Sequence, residues 1–363
     1  MKKLRIAAFV TSHFTVPGPR GIIYAPLDVA ADLCSGLAKK GHIVDFYAPI
    51  GSRVRGCRII NLGLLPLQKN FKRIFGTRRM DEGEMCKIYN LWDQYLLSEL
   101  YRRAQNGLYD IIHIHPIDRA MPLARIISDS RVPTAYTLHD PIDLWRAKIF
   151  KLFASENQHY ISISNAQRKP APGLNYKATI YNGINTRHFS FSPNHDNYLF
   201  FAGRLRKEKG VGEAIRVAKK TGERLLIAGN PAGGEYWNTK IKPHLNGKIK
   251  YVGNIERNKL PTYYQKAKAT LVPIQWEEPF GLVMAESMAC GTPVIAFNRG
   301  SVPEIIKHNK TGFIVKNVTE MAAAVKRINL IDRLECRRHV EENFSNEKMV
   351  DEYEKLFLKI IKK

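Results

Sequence analysis

The stretch EEPFGLVMAESMACGTPVIA, residues 277–296, decides the fold. Pro279 and Gly281 mark a loop entering a helix, since proline presets the first helical turn and glycine accepts backbone angles that other residues avoid. Residues 293–297 then form a short apolar run with the length and β-branching of a buried strand. Loop, helix and buried strand in such quick succession are one unit of a parallel α/β sheet.

The same alternation extends outward from this stretch. Apolar strand-like runs recur at residues 198–202, 225–228, 249–252, 269–273 and 313–315. Before them, residues 186–197 (TRHFSFSPNHDN) are polar, aperiodic and interrupted by Pro193, which marks a domain linker. Upstream of the linker the pattern appears a first time. Residues 4–10 read as a buried strand, and Val29, Leu33 and Leu37 recur at helical spacing in a segment closing at Gly41. Residues 43–48, 110–114 and 134–138 supply further strands, and Met85, Ile88, Trp92, Tyr95 and Leu96 mark a long amphipathic helix. Two α/β domains with parallel sheets are expected, residues 1–190 and 191–344. A last helix, 345–363, carries Val350, Tyr353, Phe357 and Ile360 on one face and is capped by Ser345.

Composition fits a soluble two-domain protein: 363 residues, 44% hydrophobic and 25% charged. The five cysteines, Cys34, Cys57, Cys86, Cys290 and Cys336, are odd in number and dispersed. They suit neither a disulfide framework nor a thiolate metal site, and point to a reducing cytoplasm. Arg5 interrupts the first apolar run and no small-residue cleavage site follows, so it does not read as a signal peptide; no run reaches membrane-spanning length. Lys and Arg outnumber Asp and Glu by 57 to 33, a net charge of +24 spread over both halves. Such an excess attracts phosphates, anionic lipid or nucleic acid without choosing among them.

Three nucleotide-binding fingerprints are missing: Gly-x-Gly-x-x-Gly after the first strand, a Walker-type phosphate loop, and an Asp-x-Asp metal triplet. A diphosphate bound here must therefore be neutralised by cations and backbone amides. Residues 201–210 (FAGRLRKEKG) offer this. An apolar strand ends at Gly203, and Arg204 and Lys209 follow at the strand's carboxyl end, where open parallel sheets bind ligands. In the 277–296 stretch, the amides of Phe280, Gly281 and Leu282 point from a helix N-terminus toward an anion. Glu278 lies on the loop. Glu286 lies in the helix beside core-facing Ala285 and Met288, where a carboxylate is seldom buried without a partner and can accept both hydroxyls of a ribose.

Together GRLRKEKG and EPFGLVMAESMACGTPVIA resemble the signature of glycosyltransferase family 4, retaining enzymes of the GT-B fold, two Rossmann-like domains facing a central cleft. Looser similarities extend along the chain: residues 36–42 (GLAKKGH), 110–115 (DIIHIH), Thr137-Leu138-His139, Ser164-Asn165-Ala166 and Tyr181-Asn182-Gly183-Ile184. The resemblance implies that Arg204 and Lys209 grip the diphosphate, Glu286 the ribose and Glu278 the donor sugar, with Gly203, Phe280, Gly281 and Leu282 completing the pocket. It also implies that His139 lies near the transferred sugar and that the last helix returns to the N-terminal domain. In two places the chain departs from the pattern. Tyr24-Ala25-Pro26-Leu27-Asp28 replaces a glycine-rich donor loop, leaving Gly18 and Gly21 just upstream as its glycines, and Asn185 replaces an aspartate in a turn.

The implied reaction moves a sugar, with retention, from a UDP- or GDP-sugar to a carbohydrate or lipid-linked acceptor, in cell-surface glycan or glycolipid synthesis. The nucleotide sugar is a co-substrate, and neither cofactor nor metal is implied. The alternatives are a nucleotide-sugar epimerase or hydrolase of the same fold, and a basic nucleic-acid-binding protein, for which no recognised module is visible. Residues 64–79 (LLPLQKNFKRIFGTRR) bear on location. Lys69, Lys72, Arg73, Arg78 and Arg79 interleave with Phe71, Ile74 and Phe75. Either the segment is an acceptor-side loop whose Phe71 and Phe75 pack on the N-domain core, or a short helix turns its apolar side to an anionic membrane surface and docks a cytoplasmic enzyme on the inner face of the cell membrane.

Overall fold

The computed structural model describes residues 2–19, 24–76, 80–115, 117–126, 132–231 and 234–362. The chain divides into two compact units, Met1–Ile163 with Arg168–Gly183 and Met349–Lys363, and Ser164–Gln167 with Ile184–Lys348.

The first series of elements is β1 (Arg5–Phe9), α1 (Ala25–Lys39), β2 (Ile43–Tyr47), β3 (Arg58–Ile60), α2 (Leu67–Phe75), α3 (Glu82–Gln105), β4 (Ile111–Ile114), α4 (Ile117–Ile126), β5 (Thr134–Thr137), α5 (Leu144–Leu152), β6 (Gln158–Ser162), α6 (Asn165–Arg168) and β7 (Tyr176–Thr179). The second is β8 (Leu199–Ala202), α7 (Val211–Thr221), β9 (Leu225–Ala228), β10 (Ile249–Gly253), α8 (Leu260–Lys266), β11 (Ala269–Val272), α9 (Leu282–Ala289), β12 (Val294–Phe297), α10 (Val302–Ile305), β13 (Gly312–Val315), α11 (Val318–Lys326) and α12 (Arg333–Asn343). The last helix is α13 (Asn346–Ile361).

Each unit holds one parallel sheet. The first orders its strands β3-β2-β1-β4-β5-β6-β7, the second β10-β9-β8-β11-β12-β13. The parallel α/β architecture expected from the alternating pattern is the one the chain adopts. Burial on both faces explains why the strands read as unbroken apolar runs: β4, β11 and β12 are buried at every position. In each sheet the strand order reverses once, between β1 and β4 and between β8 and β11. Chain leaving these neighbouring strands diverges to opposite sides and opens a crevice at their carboxyl ends.

Within the first unit, α13 lies against α1. A Cβ on Gly36 would stand 2.3 Å from Val350 Cγ2, so glycine is what lets the two helices approach. Lys40 Nζ meets Glu354 Oε2 and Asp351 Oδ1, each at 2.6 Å. His42 Nδ1 accepts the Leu4 amide at 3.1 Å, which leaves its Nε2 to donate to Glu354 Oε1 at 2.9 Å. The GLAKKGH segment is thus the seat of the last helix. Ser345 Oγ accepts the Lys348 amide at 3.3 Å and caps that helix.

Candidate active site

In the second unit the crevice between β8 and β11 joins the two segments that the sequence singled out. After β8 the chain makes a single 3-10 turn, Lys207–Lys209, and Gly210 takes left-handed angles before α7 begins. After β11 it runs through Trp276 and Glu278 to Gly281, also left-handed, at the start of α9. Lys209 Nζ stands 2.7 Å from Glu278 Oε2, and 4.5 Å from the centre of the Trp276 ring. Trp276 Nε1 donates to the same carboxylate oxygen at 3.2 Å. The carboxylate is therefore fixed by two donors while a cation lies along the aromatic face.

The turn after β12 braces this loop. Ser301 donates its amide to Glu278 O at 2.9 Å and its hydroxyl to Phe280 O at 2.8 Å, and the Gly300 amide reaches Glu277 Oε2 at 2.6 Å. A Cβ on Gly300 would fall 2.3 Å from Glu278 O, so only glycine allows this close approach. Phe280 is buried against Phe344, which fixes the entry to α9. At the N-terminus of α9 no side chain caps the first amides, and a helix end of this kind attracts an anion.

Arg204 is exposed, and its guanidinium has no partner among the described residues. Glu286 is buried in α9 and accepts the Tyr264 hydroxyl at 3.1 Å. Burial, reinforced by Glu286, pushes the Tyr264 phenol well above its ordinary pKa, so it stays a donor. Gly203 ends β8 with its amide on Ala228 O at 3.1 Å. Asn185 forms a side-chain turn, its Oδ1 accepting the Arg187 and His188 amides at 3.2 Å each. The sequence reading missed Trp276, Tyr264 and the Gly300–Ser301 brace. Trp276, two residues before Glu278, was a legible cue; the other two are set by packing between distant segments.

The first unit has its own cavity of about 260 Å³ at the carboxyl ends of β1, β4 and β5, lined among others by His13, Tyr24, Arg119, His139 and Arg146. His139 lies there, its Nε2 and His115 Nδ1 hydrogen-bonded at 2.7 Å with the rings stacked. His113 Nε2 meets Thr137 Oγ1 at 2.8 Å, and Thr137 Oγ1 meets the Tyr353 hydroxyl at 2.7 Å. Burial drives His113 and His139 down to about 3 and lowers His115 as well, so all three imidazoles are neutral at pH 7. Asp93 is wholly buried and meets two residues of the cavity lining, His13 and Arg119. It accepts the Ser12 amide and hydroxyl at 2.7 and 2.6 Å and pairs with Arg119. A carboxylate at this depth requires that set of donors. Asp93 was absent from the sequence-derived sites, although it sits beside Trp92 in an apolar helical stripe.

Gly18 lies in the loop after β1, its Cα side facing Leu27. Gly21, Arg78 and Arg79 lie outside the described residues. On α2, Lys69, Lys72 and Arg73 are exposed, whereas Phe71, Ile74 and Phe75 are half-buried. Phe71 and Phe75 contact each other, ring centres 5.1 Å apart, and Phe75 lies edge-on to Trp92 of α3 at 6.3 Å. Among the described residues no group of three His, Cys, Asp or Glu side chains could hold a metal ion, and no helix is long and apolar enough to cross a membrane.

Comparison with known proteins agrees with this geometry. Residues 184–347 match the family model "Glycosyl transferases group 1", and residues 28–188 match "Glycosyltransferase Family 4". An uncharacterised glycosyltransferase of Methanocaldococcus jannaschii is 25% identical over 343 residues, covering 82% of this chain and 83% of its own. Among solved structures, sucrose-phosphate synthase from Thermosynechococcus elongatus superimposes with a TM-score of 0.78 at 19% identity, over 99% of both chains. Anabaena HepE in complex with UDP-glucose does so at 0.70 and 16% identity, over 98% of this chain and 100% of that one. These two similarities place the chain in the GT-B fold.

Proposed function

Because the chain belongs to the family 4 glycosyltransferases of the GT-B fold, we propose that it transfers a sugar from a nucleotide diphosphate to an acceptor hydroxyl with retention of configuration. The observation that carries this reading is the Lys209–Glu278–Trp276 cluster beside the uncapped N-terminus of α9, with Arg204 unpaired among the described residues. In the proposed complex Arg204 and Lys209 neutralise the diphosphate, and the amides of Phe280, Gly281 and Leu282 complete its cradle beside Gly203. Glu286 holds the ribose and Glu278 the donor sugar. In the first unit's cavity, His139 offers a neutral imidazole to a sugar hydroxyl. HepE is described in complex with UDP-glucose, which favours a UDP-sugar here over a GDP-sugar.

In the proposed step the bond between the anomeric carbon and the β-phosphate oxygen breaks as the acceptor oxygen bonds to that carbon from the same face. The acceptor proton passes to the departing phosphate. The charge that develops is carried by Arg204, Lys209 and the α9 amides, so no metal is required. The acceptor is a carbohydrate or a lipid-linked carbohydrate, taken by the first unit, and the exposed cations of α2 favour a membrane-surface location on the cytoplasmic side. Transfer from carbon-13-labelled UDP-glucose and its relatives to added acceptors, followed by NMR of the anomeric coupling, tests the reading. A retained linkage on the acceptor supports it. Inversion, or release of free sugar in place of transfer, contradicts it.

A further inference from the structure

Helix α5 has two faces of opposite use. Inward, Ala147 and Phe150 are buried, Phe150 stacks on Tyr160, and Arg146 and Phe150 line the cavity of the first unit. Outward, the helix leaves large apolar side chains in solvent: Leu144 is 73% exposed, Trp145 62% and Leu152 67%, with Ile149 beside them. Ile126, at the end of α4, extends the same surface and is 70% exposed; its neighbour Arg125 bonds Leu152 O at 3.4 Å. An apolar patch of this extent marks an interaction surface.

The charges on this face identify the partner. Lys148 and Lys151 are exposed within the apolar set, Arg125 borders it, and residues 144–152 contain no acidic side chain. Asp118 and Asp140 meet Arg146 on the cavity side, at 3.0 and 3.7 Å. On the helix itself the flanking acids lie at the two ends, where Asp143 accepts the Arg146 amide as the helix cap and Glu156 follows beyond the C-terminus. Protein interface cores exclude lysine, whereas interfacial helices alternate lysine with leucine and tryptophan, the indole resting at headgroup depth. Helix α2 reaches one residue of the cavity lining, the Gln68 amide donating to His13 O at 3.1 Å, and carries exposed Lys69, Lys72 and Arg73. Its own aromatic side is already occupied by Trp92, so it can supply charge but little insertion.

We propose that the outer face of α5 docks on an anionic lipid bilayer, with Leu144, Trp145, Ile149 and Leu152 in the interface and Lys148 and Lys151 at the headgroups. The cavity mouth is then held at the membrane. Docking does not depend on the transferase reading; only its consequence, an acceptor presented from the bilayer, rests on it.

The test uses the full chain and vesicles of phosphatidylcholine with phosphatidylglycerol, against phosphatidylcholine alone. Brominated acyl chains should quench tryptophan emission in the anionic vesicles, and W145F should abolish the quenching although Trp92, Trp237 and Trp276 remain. L144S/L152S should weaken vesicle affinity about tenfold or more while leaving the melting temperature and UDP binding unchanged. Unaltered quenching in W145F would overturn the proposal. So would the absence of binding to anionic vesicles, or a concentration-dependent dimer that L144S/L152S dissolves. A positive vesicle result with no sugar transfer would leave the docking intact and remove the transferase reading.

Discussion

Lys209 Nζ and Glu278 Oε2 lie 2.7 Å apart although 69 residues separate them in sequence. The strand order of the second sheet brings this about, because β8 and β11 are neighbours at its reversal and each delivers one member of the pair. Replacing Lys209 with Ala removes a cation from the proposed diphosphate site and leaves Glu278 without its ion partner. Turnover should fall by about 10²- to 10³-fold. Arg204→Ala should cost a similar factor with no change in melting temperature, because Arg204 is exposed. Initial rates with a labelled donor measure both. A double variant with near-normal transfer would sink the assignment of this loop.

The buried histidines make the first unit sensitive to acid. His113, wholly buried, is held neutral down to about pH 3, and His139, half-buried at the cavity, is lowered in the same direction, whereas an imidazole in the unfolded chain titrates near 6.5. Between these values the unfolded chain binds protons that the folded unit refuses, so stability present above pH 6.5 is lost as the pH falls toward 3. Each such histidine contributes a slope of about 1.4 kcal/mol per pH unit. Urea unfolding at pH 6, 5 and 4 should show a shallower loss in His113→Gln than in the parent. Parallel slopes would contradict neutral burial.

Gly36 tests the seat of α13. Valine there must displace Val350, whose Cγ2 would lie 2.3 Å from the new Cβ. Overpacking of this kind costs about 1–3 kcal/mol, and V350A in the same chain should recover part of it. Denaturant midpoints of the single and double variants check this. Additive losses would show that the two residues do not meet.

Metal independence follows from the proposed cationic clamp. Transfer should persist in excess EDTA at its full rate. Loss in EDTA that manganese or magnesium restores would show that Arg204 and Lys209 do not carry the diphosphate charge alone.

Much of the fold was legible because both sheets are buried on two faces, and their strands are apolar runs bounded by turn residues. The strands that escaped notice are those with weaker patterns. β3 and β7 lie at a sheet edge and are half-exposed, and β6 reads QHYIS, polar in sequence although buried throughout. Gln158 endures that burial partly because its Nε2 donates to Phe153 O at 3.0 Å, a bond that sequence cannot show. At the candidate site the EPFGLVMAE segment carried its own signal through proline, glycine and paired glutamates. Of the first unit's cavity only His139 was reached, through the resemblance; Asp93, Arg119 and His13 come from three separate elements and meet only in the folded unit. On α2, periodicity predicted an apolar stripe but not that Trp92 would cover part of it.

Calorimetric titration of UDP into the protein, in chelator, tests the central claim most directly. Binding should weaken at least tenfold when UDP is replaced by UMP, and again when Arg204 or Lys209 is changed to Ala. Equal affinity for UDP and UMP, indifferent to both substitutions, would contradict it.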